Sequence, residues 1–153
     1  MLLREVGVTE IEKKPLLISG LVLIKLTKDP IAVVRDLRAI LKDDPWRLKV
    51  VYKIKPLEIL VDTRLDLLGE AVDEFVSRIQ PDESFKIELR RRFHNIKSEV
   101  LIAELAQRFE NPVDLENPKK ILLVEVLGSN TGIAVCLPTD IISLQSLRNG
   151  SKI

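Results

Sequence analysis

The sequence predicts an α/β fold with a mixed sheet, because segments with the two-residue period of strands alternate with segments of helical period. The last two strand segments, KILLVEVLG and GIAVCLP, are separated by a glycine-containing turn that is typical of an antiparallel hairpin. The 153 residues are 46% hydrophobic, which is ample for one domain or for two small modules. We therefore expect helices packed on a sheet that contains both parallel and antiparallel pairs.

Residues 1–58 are predicted to form an N-terminal α/β half with a βαβ order, ferredoxin-like in character. The aliphatic segment LLISGLVLIKL (16–26) is typical of a central strand. Asp29 as N-cap and Pro30 at the first helical position predict the start of the following helix. The segment RLKVVYKI (47–54) alternates apolar and basic side chains, so it predicts a second strand with one basic face.

Residues 59–153 are predicted to form a second domain with two helices and three strands. Before the closing hairpin, the periodicity predicts a helix over 65–79, a strand over 84–91 and a helix over 98–109. Ser98 is the residue that we expect to cap the second of these helices. The tail from residue 140 onwards is expected to add a few apolar contacts and then to fray.

Composition excludes several classes of protein. The chain carries 24 basic and 23 acidic residues, so its net charge predicts no general attraction to nucleic acid, although residues 1–55 carry +5 and the remainder −4. The single cysteine, Cys136, excludes an internal disulfide and a zinc site built from several thiols. The chain has no signal peptide pattern and no apolar run of about 20 residues, so we expect a cytoplasmic protein that does not span a membrane.

No catalytic constellation is recognisable in the sequence. It contains no GxGxxG motif after a strand, no phosphate-binding loop with a lysine and no HExxH motif. His94 is the only histidine, and its one conceivable thiol partner, Cys136, lies in an apolar segment typical of inert core. The acidic residues within 66–74 are interpreted as a solvated helix face. We therefore expect no catalytic residue, no metal, no cofactor and no enzymatic activity.

Positive charge is concentrated where the strand FKIELRRR ends. Arg90, Arg91 and Arg92 follow one another there, and because arginine is rarely buried without a partner, we expect all three to project into solvent. An anionic partner fits such a corner. The alternative interpretation is that the arginines form weak surface ion pairs with Glu88, Glu99 or the acidic helix.

The stretch from residue 59 onwards resembles the THUMP domain, an RNA-binding module of tRNA-modifying and thiouridine-forming proteins. The matching pieces are the helix over 65–79, the strand ESFKIELRRRF, the helix SEVLIAELAQRF and the hairpin, and the most specific piece is VDLENP before the hairpin. Two further segments, RLKVVYKIKPLEILVDT upstream and PTDIISLQSLR in the tail, are similar to small stand-alone archaeal THUMP proteins that resemble the accessory factor of tRNA cytidine acetylation.

This resemblance implies a non-catalytic tRNA-binding adaptor. Such a protein holds the acceptor stem and the 3′ end of tRNA and presents the tRNA to a separate tRNA cytidine N4-acetyltransferase. The implied partners are therefore tRNA and a tRNA-modifying enzyme, with no small-molecule cofactor. The alternative that the sequence leaves open is a protein-binding or anion-sensing α/β module that does not bind RNA.

In the RNA-binding interpretation, the arginine corner supplies the contacts. Two of the three arginines would reach the same row of phosphates, and Lys86 would extend this contact. Lys97 and the positive N-terminus of the helix at Ser98 would bind a further phosphate. Phe93 and His94 are expected to stack on an unpaired base, although Phe93 equally fits a core residue that closes the strand. The candidate RNA-binding residues are therefore Lys86, Arg90, Arg91, Arg92, Phe93, His94, Lys97 and Ser98.

Overall fold

A computed structural model of the chain describes residues 2–14 and 20–150. The helices are α1 (Leu2–Glu5), α2 (Pro30–Asp43), α3 (Leu65–Asp73), α4 (Ser98–Ala106) and α5 (Leu144–Gly150), with 3₁₀ turns at Val76–Arg78 and Pro138–Asp140. The strands are β1 (Ile11–Lys14), β2 (Leu23–Leu26), β3 (Lys53–Ile54), β4 (Ile59–Asp62), β5 (Phe85–Arg92), β6 (Lys120–Leu127), β7 (Asn130–Cys136) and β8 (Ile142–Ser143). The predicted α/β class with a mixed sheet is confirmed.

The described residues divide into two compact units. The first consists of the described residues of 1–56 and 139–153, and the second consists of residues 57–138. The domain boundary placed at residue 58 from the sequence stays a prediction. In neither unit does the described part of the chain contain a helix long and apolar enough to cross a membrane.

Helix α2 organises the core of the first unit. Asp29 caps it as predicted, because its carboxylate accepts a hydrogen bond from the N–H of Ile31 at 3.1 Å, and Pro30 lies in the first turn. On the same helix, Arg35 donates a hydrogen bond of 3.0 Å to the buried carboxylate of Asp140. The buried core of this unit comprises Val6, Val8, Val33, Val34, Leu37, Leu41, Ile142 and Leu144.

The strands of the first unit differ from those predicted. Residues 16–19 of the predicted central strand lie outside the described residues, and the described strand β2 pairs with β1 in a two-stranded antiparallel sheet. Strand β3 pairs instead with β8, so β2 and β3 belong to different sheets and the described residues of the first unit form no βαβ unit. The tail was expected to add a few apolar contacts and then to fray. It does add contacts, through the fully buried side chains of Ile142 and Leu144, but it also forms β8 and α5.

Most of the predicted strand over 47–54 is irregular, since only Lys53–Ile54 pairs with another strand. The physical reason is visible in its apolar residues. Val50 and Tyr52 are exposed, so the alternation of apolar and basic side chains does not place an apolar face on a core. The residues that do pack on the core are Leu48, Val51 and Ile54, which are three apart and do not share one face of a strand.

The second unit is built on a four-stranded mixed sheet in the order β4-β7-β6-β5. β5 runs parallel to β6, whereas β4 and β6 both pair antiparallel with β7. The predicted β6–β7 hairpin is confirmed, and its turn consists of Gly128 and Ser129. Gly128 has a φ of +66°, a conformation that glycine adopts without steric cost.

Helices α3 and α4 contribute to the core on one side of this sheet. Both are shorter than predicted, because α3 ends at Asp73 before a 3₁₀ turn and α4 ends at Ala106. The rings of Phe85 and Phe109 lie 4.6 Å apart between their centroids. The buried core comprises Leu68, Val72, Phe75, Ile79, Phe85, Leu101, Leu105, Phe109, Leu122, Val124, Val126, Ile133 and Val135.

Candidate nucleic-acid interface

The end of β5 and the turn after it form an exposed corner beside α4. In the parallel pairing with β6, Leu89 lies beside Val124 and Arg90 lies beside Glu125, so successive residues of β5 face opposite sides of the sheet. The carbonyl oxygen of Arg92 accepts a hydrogen bond from the N–H of Gly128 at 2.8 Å. This bond fixes the corner, which we define as residues 90–98, to the β6–β7 turn.

Arg92 does not project freely into solvent, and the sequence prediction was wrong for this arginine. Its Nη1 donates a hydrogen bond to Oε2 of Glu125 at 2.9 Å, and the two side chains are 24% and 6% exposed. A carboxylate in the buried strand β6 needs a compensating cation, and Arg92 on the neighbouring strand supplies it. Arg92 therefore belongs to an internal ion pair and adds little charge to the surface.

Lys86 is also partly neutralised. It lies on the same face of β5 as Glu88, and its Nζ is 3.6 Å from the Oε1 atom of that residue. Both side chains are half-buried, so the pair is less exposed than a typical surface ion pair. The positive track along β5 is consequently shorter than the sequence predicted.

Three uncompensated cations are described at the corner. Arg90 and Lys97 are exposed, and neither makes an ion pair with a described residue. Arg91 is exposed as well, and its Nη1 donates a hydrogen bond of 2.7 Å to the carbonyl oxygen of Ile96. Because that acceptor is neutral, the guanidinium keeps its full charge. Guanidinium and ammonium groups presented in this way suit phosphate oxygens.

Phe93 is exposed and is not a core residue, so that interpretation of the sequence was wrong. It is 75% exposed, and with a φ of +55° it is the one non-glycine residue at positive φ within the described ranges. A left-handed conformation costs a side chain of this kind about 1 to 2 kcal/mol. Backbone strain combined with an exposed aromatic ring is typical of a binding site, where the ring is available for stacking.

His94 organises the turn that leads into α4. Its Nδ1 accepts a hydrogen bond from the N–H of Ile96 at 2.9 Å, so Nε2 is the ring atom that can donate to a ligand. Helix α4 begins at Ser98, but its N-cap is Lys97, which makes no capping hydrogen bond through its side chain. The predicted cap by Ser98 was therefore wrong. The first N–H groups of α4 have no side-chain cap and present the positive end of the helix dipole.

The VDLENP segment forms a turn at the opposite end of β5. Oδ1 of Asp114 accepts hydrogen bonds from the N–H groups of Asn117 at 2.9 Å and Glu116 at 3.0 Å. These two bonds hold the pKa of the Asp114 carboxyl below its ordinary value of 3.8. The N–H of Asp114 donates to the carbonyl oxygen of Phe85 at 3.1 Å, which ties the turn to the first residue of β5. The segment is thus structural and remote from the corner.

Glu83 reinforces the same end of the unit. Its Oε1 accepts a hydrogen bond from the N–H of Gln80 at 2.8 Å and lies 3.3 Å from Nζ of Lys120. The backbone hydrogen bond first and the lysine second lower the pKa of the Glu83 carboxyl. Neither this carboxyl nor that of Asp114 reaches the corner, so their protonation acts on stability.

The sheet register separates Cys136 from His94. Cys136 pairs with Ile121 at the start of β6, whereas the residue two before His94 pairs with Leu127 at the end of β6. Six residues of strand span about 20 Å, so the thiol and the imidazole do not form a catalytic pair. Within 2–14 and 20–150, no three His, Cys, Asp or Glu side chains are grouped in a way that suits a metal ion.

Residues 62–135 match the family model described as "THUMP domain". The matched stretch lies inside the second unit and contains β5, the corner, α4 and almost all of the β6–β7 hairpin. The match covers just under half of the chain and falls on the part whose sequence resembles the THUMP domain. Comparison with curated protein sequences finds no match.

Two solved structures have a similar fold. The crystal structure of PH1313 from Pyrococcus horikoshii Ot3 aligns with a TM-score of 0.62 at 16% identity, over 92% of this chain and 45% of that one. The crystal structure of a 4-thiouridine synthetase–RNA complex with bound ATP aligns with a TM-score of 0.54 at 19% identity, over 93% of this chain and 36% of that one. The chain spans less than half of either structure, and a likeness at such low identity shows the fold alone.

Proposed function

We propose that the chain is a non-catalytic tRNA-binding adaptor that holds the acceptor stem and 3′ end of tRNA and presents the tRNA to a separate modifying enzyme. The observation that carries this proposal is the corner itself. Arg90, Arg91 and Lys97 keep uncompensated charge beside the exposed and strained ring of Phe93. This combination lies within the stretch that matches the THUMP domain.

The corner suits the chemistry of an RNA end. Arginine and lysine at its rim neutralise phosphates, and each such contact releases counterions. Phe93 offers its ring to an unstacked base, and Nε2 of His94 can donate to a base edge or a 2′-hydroxyl. A 4-thiouridine synthetase that was crystallised as an RNA complex has a similar fold, which supports RNA as the ligand proposed here.

We further propose that the modifying enzyme is a tRNA cytidine N4-acetyltransferase and that the adaptor works in the cytoplasm of an archaeon. The support is the resemblance of RLKVVYKIKPLEILVDT and PTDIISLQSLR to the small archaeal accessory proteins.

The test combines the purified chain, an archaeal tRNA substrate and the separately purified acetyltransferase. The chain alone is expected to transfer no acetyl group, and its addition should increase acetylation by the enzyme. The double variant Arg90→Ala/Lys97→Ala should remain folded but lose this stimulation. The control variant Lys25→Ala/Lys42→Ala also removes two exposed positive charges, and it should keep the stimulation. Acetyl transfer by the chain alone would overturn the adaptor role. Tight binding of phosphate with no affinity for tRNA would identify an anion sensor instead.

A further inference from the structure

A second exposed surface with basic and aromatic side chains lies in the first unit. It is formed by residues 46–55, WRLKVVYKIK, which we call the basic-aromatic segment. Trp46 is 55% exposed and Tyr52 is 70% exposed, and both stand in a part of the chain that is largely irregular. Large aromatic side chains rarely stay this exposed in a protein with ample core, so the segment requires an explanation.

Trp46 is exposed but held in place. The guanidinium carbon of Arg148 lies 4.5 Å from the centroid of the indole ring, a cation–π contact that covers part of it. Arg148 is itself anchored, because it donates hydrogen bonds to the carbonyl oxygens of Pro45 and Leu48. The ring is therefore presented in a defined orientation, and its remaining surface can receive a planar ligand at a low cost in conformational entropy.

Tyr52 is anchored through its backbone. Its carbonyl oxygen accepts a hydrogen bond from the N–H of Leu144 at 2.9 Å, and the next residue begins β3, which pairs with β8. Because Leu144 is fully buried, this attachment is to the core of the unit. The phenol ring thus projects from a fixed position of the chain.

The segment is strongly basic. It contains four lysine or arginine residues and no acidic residue. Arg47 forms an ion pair with Glu5, but Lys49 and Lys53 are exposed and make no ion pair with a described residue. In the sequence, Lys49 lies between Trp46 and Tyr52, and Lys53 directly follows Tyr52.

We infer that the basic-aromatic segment binds single-stranded RNA, with bases stacked on Trp46 and Tyr52 and phosphates paired with Lys49 and Lys53. Single-stranded nucleic acid is the ligand class that combines planar bases with a regular array of negative charge. A protein partner fits less well, because the cores of protein interfaces are depleted in lysine. The choice of RNA rests on the proposed function, while the segment shares no residue with the corner.

The experiment uses the full chain and its intrinsic fluorescence. Trp46 is the only tryptophan in the sequence, so its emission reports on this segment alone. Single-stranded oligoadenylate of about eight nucleotides, a length within the site sizes of such proteins, should quench the emission in a saturable and salt-sensitive manner. A blunt RNA duplex of equal length should quench it much less, because its bases are already stacked.

Matched variants separate the two sites. Lys49→Ala/Lys53→Ala should weaken quenching and flatten the dependence of log affinity on log salt by about 1.4, since each single-stranded phosphate contact contributes about 0.7. Tyr52→Ala should weaken binding about tenfold, a moderate effect for the loss of one stacked base. The corner variant Arg90→Ala/Lys97→Ala should still show the quenching, which makes the inference independent of the corner.

Two outcomes would overturn the inference. In the first, fluorescence anisotropy shows that oligoadenylate binds, but Trp46 emission stays unchanged. RNA would then contact only another surface, and the proposed function would still stand. A blue shift of Trp46 with anionic phosphatidylserine vesicles, without any response to oligoadenylate, would assign the segment to a membrane surface. A third result would support this site and reject the corner. In that case the corner variant binds tRNA as tightly as the parent chain, and oligoadenylate still quenches its Trp46 emission.

Discussion

Arg92 and Glu125 join the end of β5 to the interior of β6 through a hydrogen bond of 2.9 Å between Nη1 and Oε2. The carboxylate is nearly inaccessible to solvent, and the guanidinium is only about a quarter exposed. Breaking such a pair leaves a charge in a poorly solvated place, which is costly even where the intact pair contributes little net stability. This pair therefore supports the corner structurally, while the neighbouring side chains of Arg90 and Arg91 are exposed to solvent.

We predict that Arg92→Ala lowers the free energy of unfolding by about 3 kcal/mol, the lower end of the range for breaking a buried pair. Glu125→Gln in the Arg92→Ala background should recover part of that loss, because the unpaired charge is then removed. Chemical denaturation of the two single variants and the double variant gives the coupling energy directly. Strictly additive losses would show that Arg92 and Glu125 do not interact in solution.

A triple substitution of Arg90, Arg91 and Arg92 is consequently a poor test of RNA binding, because it also destabilises the sheet. Sequence reasoning missed this because the partner of Arg92 lies on a different strand, 33 residues away. The sequence does contain one sign of this pair, which is Glu125 inside the apolar strand KILLVEVL, because a buried acid requires a partner. Which arginine supplies it depends on the parallel register of β5 and β6, which no local pattern specifies.

Local signals were the ones that the sequence predicted well. The cap by Asp29 and the glycine turn at Gly128 depend on neighbouring residues and are confirmed. Most errors occurred where distant packing decides, as in the irregular segment 47–52 and in the tail, which forms β8 and α5 instead of fraying. The cap expected at Ser98 is a local signal that failed, because Lys97 is the N-cap of α4. The exposure of Phe93 belongs to the second kind, because it follows from a backbone conformation that the sequence does not reveal.

We predict that Arg90→Ala/Lys97→Ala flattens the slope of log affinity for tRNA against log salt by about 1.4 to 1.8, since each phosphate contact contributes about 0.7 to 0.9. Both side chains are exposed without an ion pair to the described residues, so the thermal midpoint should not change. Filter binding over a range of salt concentrations measures the slope. An unchanged slope in this folded variant would remove the corner from the tRNA interface.

Phe93→Asn should separate stability from binding. Asparagine tolerates a positive φ better than phenylalanine, so relief of about 1 kcal/mol of strain should raise the thermal midpoint by about 2 to 4 °C. Affinity for tRNA should fall about tenfold, because a stacked base loses its platform. Phe93→Trp keeps an aromatic ring and should retain binding. A variant that is less stable and binds normally would make Phe93 a structural residue.

Asp114 should give the second unit a measurable acid sensitivity. Its pKa is lowered in the folded state by the two backbone N–H groups, so its contribution to stability is present above the ordinary value of 3.8 and is lost as the pH falls through the lower folded value. Asp114→Ala should therefore lower the thermal midpoint at pH 7, and the difference from the parent should shrink towards pH 2. Glu116→Ala, which keeps its backbone N–H, is the control. A difference that stays constant with pH would contradict the role of the carboxylate.

The last prediction concerns the 3′ end of tRNA. The corner combines one exposed aromatic ring with cations and a helix start without a side-chain cap, and an aromatic ring can stack only on a base that is not already in a helix. Intact tRNA should therefore bind more tightly than the same tRNA trimmed of its single-stranded 3′ nucleotides, by about tenfold for one lost stacking contact. Phe93→Asn should bind the intact and the trimmed tRNA nearly equally, because the variant has already lost that contact. If the parent chain binds both tRNAs equally, capture of the 3′ end is excluded and the corner acts only as a basic patch on the acceptor stem.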